Sequence, residues 1–63
     1  MKARISYTQN WAGEILKDTY YKEIDGEHIV EEVYSIKEAL FSDPCVKSAD
    51  VEVEIEKGKW SKY

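Results

Sequence analysis

Cysteine occurs once in this chain, as Cys45, and histidine once, as His28. A lone thiol closes no intrachain disulfide, and one Cys plus one His falls short of the four ligands, roughly, of a structural zinc site. Proline appears only as Pro44, and glycine only as Gly13, Gly26 and Gly58. Glycines so placed form neither a phosphate-cradling loop nor a G-x-S-x-G nucleophile elbow. No apolar run approaches the ~20 residues of a membrane helix, and Met1–Ser6 lacks the apolar core of a signal peptide. The expectation is a cytoplasmic protein that is not an enzyme, with no metal, no cofactor and no membrane partner.

What is present is consistent with one small folded unit spanning residues 1–63. Chains this short bury only about 60% of the surface their unfolded form exposes, and they commonly need a disulfide, a metal or a partner subunit. With the first two excluded, stability must come from local design or from association. A hydrophobic fraction of 43% with eight aromatic residues (Trp, Tyr and Phe) is enough for a core.

Charge is unevenly placed. Net charge is −4, yet residues 25–56 hold ten acidic groups against Lys37 and Lys47, while Lys57, Lys59 and Lys62 close the chain. Nucleic-acid binding without sequence preference requires a basic stripe to displace phosphate counterions, so direct nucleic-acid binding is disfavoured.

Hydrophobic periodicity divides the chain into four elements. Ala3–Thr8 alternates apolar and polar residues and reads as a strand, followed by a turn at Asn10–Gly13. Glu14–Ile24 has β character at Thr19-Tyr20-Tyr21, and a helix there would carry scattered apolar residues, so a second strand is preferred. Ile29, Val33, Ile36 and Leu40 recur at helical spacing, which predicts a helix over roughly 27–41, N-capped by Asp25 and stopped before Pro44. Ala49–Glu56 alternates without a fault and predicts a third strand, closed by Gly58. The expected fold is α+β, β-β-α-β, a three-stranded antiparallel sheet in order 2-1-3 with one amphipathic helix on one face. The expected core is Val33, Ile36, Leu40, Val51, Val53 and Ile55.

Catalytic readings find few residues to build on. His28 and Glu32 lie four apart, but a catalytic metal site takes about three protein ligands and spacing implies no others. The positive end of the helix dipole should also favour neutral His28. Cys45 follows a helix C-terminus, the wrong end for thiolate activation, and lies near Asp43.

Binding readings have more to use. Asp50, Glu52, Glu54 and Glu56 project from one side of the last strand, spaced ~6.7 Å apart. Glu27, Glu31 and Glu38, with Tyr34 among them, form a second stripe along the outer face of the helix, the fallback contact surface behind Glu52, Glu54 and Glu56. Trp60 and the tyrosines supply the ring types enriched at protein-binding hot spots. These residues point to a small acidic protein-interaction module that docks on a basic surface of a larger protein, in the manner of a phage- or plasmid-type inhibitor or regulator. The alternative is a homodimeric accessory subunit burying its open sheet face. The third reading is a single-stranded nucleic-acid binder that uses exposed tyrosines.

Overall fold

A computed structural model describes residues 1–63. Strand β1 (Lys2–Trp11) turns into β2 (Glu14–Glu23), helix α1 (Ile29–Phe41) crosses the sheet, and β3 (Val46–Glu56) is followed by β4 (Lys59–Lys62). The sheet order is β2-β1-β3-β4 and every pairing is antiparallel. The α+β class and the 2-1-3 order therefore hold, and a fourth strand extends the sheet beyond the expected three.

The fourth strand follows from the residues around Gly58. Gly58 adopts φ 80, a left-handed conformation open to glycine at no steric cost, and this reverses the chain. Trp60 then pairs with Glu54 and Lys62 with Glu52. Four residues with two lysines carry almost no alternation, which is why the segment does not read as a strand.

The helix starts two residues later than its pattern suggests. His28, not Asp25, holds the N-cap position, and it makes no side-chain cap hydrogen bond. Asp25 instead organises the preceding turn: its Oδ1 accepts from the Glu27 backbone N–H and its Oδ2 lies 2.9 Å from His28 Nδ1. The helix ends at Ser42, whose N–H donates to the Glu38 carbonyl.

One face of the sheet meets the helix. Ala3 and Ile5 of β1, Val51 and Val53 of β3, and Val33 and Ile36 of α1 are buried together, with Ile24 at the edge of the cluster. Leu40 packs only at its rim, and Ile55 is 52% exposed, so these two are not full members of the expected core. Ile55 lies inside the register break between Glu54 and Glu56, which takes it out of regular alternation. The helix contacts β3, and all ten residues of β2 remain exposed. No helix is long and apolar enough to cross a membrane.

Candidate protein-interaction surfaces

The two acidic stripes lie on opposite sides of the molecule, and their surroundings differ. On the open sheet face, β1 places Arg4 directly across from Glu52 of β3. Arg4 Nε and Nη2 both lie 3.2 Å from Glu52 Oε1, and the guanidinium stacks 4.3 Å from the centre of the Trp60 ring. The hydrogen bond that Arg4 donates to Glu52 raises the Arg4 pKa above its ordinary value. Tyr21 leans on Trp60 with ring centres 6.2 Å apart, and Lys2 lies 5.9 Å from the Tyr21 ring.

The other β3 carboxylates also have partners within the chain. Asp50 lies 3.8 Å from Lys62, Glu56 lies 3.3 Å from Lys59, and Glu54 accepts the Gly58 backbone N–H at 2.9 Å. Exposed ion pairs of this kind stabilise little, but they cancel charge locally. Asp50, Glu52 and Glu54 are thus matched by cations and an N–H of their own sheet. The register break at Ile55 pairs Glu56 with Lys59, the neighbour of Trp60, and takes Glu56 out of the expected four-carboxylate stripe. Trp60 is half-buried under Arg4 and belongs to this cluster.

The helix side is different. Glu31 and Glu38 are exposed and take part in none of the ion pairs of the fold. Glu27 falls in the turn before α1, so the stripe along the helix proper is Glu31, Tyr34 and Glu38. Tyr34, Ser35, Glu38, Ala39 and Ser42 line a shallow open depression on this outer surface. Three large apolar residues flank it without cover: Val30 at 70%, Tyr34 at 68% and Phe41 at 49% exposure. At 100° per residue they fall within roughly 40° of arc and make one ridge.

Residues 25–43 carry Asp25, Glu27, Glu31, Glu32, Glu38 and Asp43 against the single Lys37, a net of −5, which leaves the rest of the chain at +1. The net negative charge of the molecule therefore resides on the helical segment, where Asp25 and Asp43 accept N–H bonds while Glu31 and Glu38 enter no ion pair. Sequence reading ranks the β3 stripe first because its alternation is perfect. The pairing of those carboxylates is tertiary (Arg4 and Glu52 are 48 residues apart) and has no local signature.

The tyrosines divide between the two faces. Tyr7 and Tyr20, with ring centres 6.1 Å apart at 76°, share the sheet side that α1 occupies, while Tyr21 is on the open side. The Tyr7 hydroxyl donates to Asp18 Oδ2 at 3.4 Å, and desolvation, then the Asp18 charge, raises its pKa. Cys45 is half-buried; its N–H donates to Asp43 Oδ1 and its carbonyl accepts from Asn10. No three His, Cys, Asp or Glu side chains converge as a metal site would require. No family model, no curated protein and no solved structure matches this chain.

Proposed function

We propose that the protein is a non-catalytic docking module whose outer helix face binds a basic surface on a larger protein. The observation that carries this reading is the exposed, unpaired Glu31 and Glu38, on a segment (residues 25–43) of net charge −5, set beside the uncovered ridge of Val30, Tyr34 and Phe41. Carboxylates without internal partners steer association, and an aromatic that can be desolvated supplies the affinity. Helix faces of this composition suit a groove with basic walls and an apolar floor.

The test separates the two stripes. Immobilised protein captures its partner from the native cell, and elution is followed as salt rises from 0.1 to 1 M, where the Debye length falls from ~10 to ~3 Å. Capture should weaken with salt, should be lost with Glu31→Lys plus Glu38→Lys, and should survive Glu52→Lys plus Glu54→Lys. Binding that ignores the helix pair and fails with the sheet pair would move the site to the open face.

A further inference from the structure

The uncovered edge of the sheet offers a second surface. Strand β2 is an edge of ten residues, all exposed, and the helix packs on β3 instead of over it. An edge this long, carrying Ile15, Leu16, Tyr20 and Tyr21 exposed, is a template for another strand. From its geometry and charge we infer that the protein forms a two-fold dimer by antiparallel pairing of β2 with β2 of a second copy, centred on Tyr20.

Backbone direction sets the allowed registers. Ile24 N–H donates to the Met1 carbonyl, and the two-residue turn at Ala12-Gly13 joins Trp11 to Glu14. Even-numbered residues of β2 therefore bond to β1, and Ile15, Lys17, Thr19, Tyr21 and Glu23 present their backbone groups outward. A two-fold axis normal to the sheet pairs residues whose numbers share parity, so the axis must pass through a residue.

Charge then selects among these registers. With the axis at Tyr20, Lys17 faces the second copy's Glu23, Asp18 faces its Lys22, Thr19 faces its Tyr21, and Tyr20 meets itself. Every charged residue from 17 to 23 meets its opposite. With the axis at Asp18 two aspartates collide, and with the axis at Thr19 neither Lys17 nor Asp18 meets an opposite charge. In the Tyr20 register the hydrogen-bonded pairs are 17 with 23 and 19 with 21, the residues whose backbone groups are free.

One intrachain contact must yield. Asp18 Oδ1 now accepts the outward Thr19 N–H at 2.9 Å, which guards the edge in the monomer. Pairing hands that N–H to the second copy's Tyr21 carbonyl and releases Asp18 to Lys22. Seven-residue strands bury less than a standard interface, so the dimer is weak and must be sought at high concentration. Both helices lie on the same side of the joined sheet, leaving their outer faces free.

Hydrogen exchange and sedimentation from ~10 μM to ~1 mM provide the test, a span chosen for an interface of this size. Mass should rise toward the dimer, and amide protection should rise at Lys17, Thr19, Tyr21 and Glu23 but not on the open sheet face. Lys17→Glu with Lys22→Glu should weaken self-association at least tenfold, as should Asp18→Lys with Glu23→Lys. Mixing those two variants restores all four charge pairs and should yield a heterodimer. A monomer throughout the range, a dimer indifferent to these changes, or a mixture that fails to pair would each overturn the inference.

Discussion

Ala12 occupies φ 50, the left-handed region that costs a residue with a Cβ roughly 1–2 kcal/mol. Together with Gly13 at φ 85 it forms the two-residue hairpin turn whose preferred sequence is Asn-Gly. Ala12→Asn should therefore stabilise the protein by about 0.5–1 kcal/mol, seen as a higher urea midpoint with an unchanged slope. His28 supplies a second test at this scale. The hydrogen bond that His28 makes to the Asp25 carboxylate raises the His28 pKa above 6.5, against the helix dipole, and the Glu27 N–H, then His28, lowers Asp25 below 3.8. The His28 contribution is complete below pH 6.5 and fades as pH climbs through its raised value; that of Asp25 is complete above pH 3.8 and fades as pH falls through its lowered one. The pair thus contributes most between those two limits. In an NMR titration the His28 midpoint should exceed 6.5 and should drop in Asp25→Asn.

At the scale of elements, α1 is held by a narrow stripe. Val33 and Ile36 are buried and Leu40 only partly so, which ranks their deletions. Ile36→Ala should cost about 2–4 kcal/mol in urea unfolding, more than Leu40→Ala. Equal costs would mean that the helix end is packed more tightly than its exposure implies. The elements differ in how well they can be read from the chain. Strand β3 is legible because Val51-Glu52-Val53-Glu54 alternates, and α1 because Ile29, Val33, Ile36 and Leu40 recur on one face. Strand β4 is not, since Lys59–Lys62 gains its place from pairing with β3 and from Arg4 over Trp60, both set by distant residues. The acidic stripes were legible as charge patterns, but the pairing of Lys62, Lys59 and Arg4 with their acids was not, and that pairing decides which stripe is left open.

On the scale of the whole molecule, β1 is one of two inner strands, flanked by β2 on one side and β3 on the other. Its two partners arrive at very different costs. The hairpin with β2 closes through two residues, whereas Ala3 must find Val53, fifty residues on. Isolated hairpins form in about 1–10 μs, and long-range strand pairing is much slower because loop closure comes before any contact is gained. Folding should then run hairpin first, with β1·β3 docking and helix packing as the slow step. In stopped-flow refolding, Ala12→Asn should express most of its stability gain as faster folding, while Lys59→Ala in the late strand β4 should act on the unfolding rate. The strand that begins the chain is half finished almost at once, and its second edge stays open until the last third of the sequence comes back to cover it.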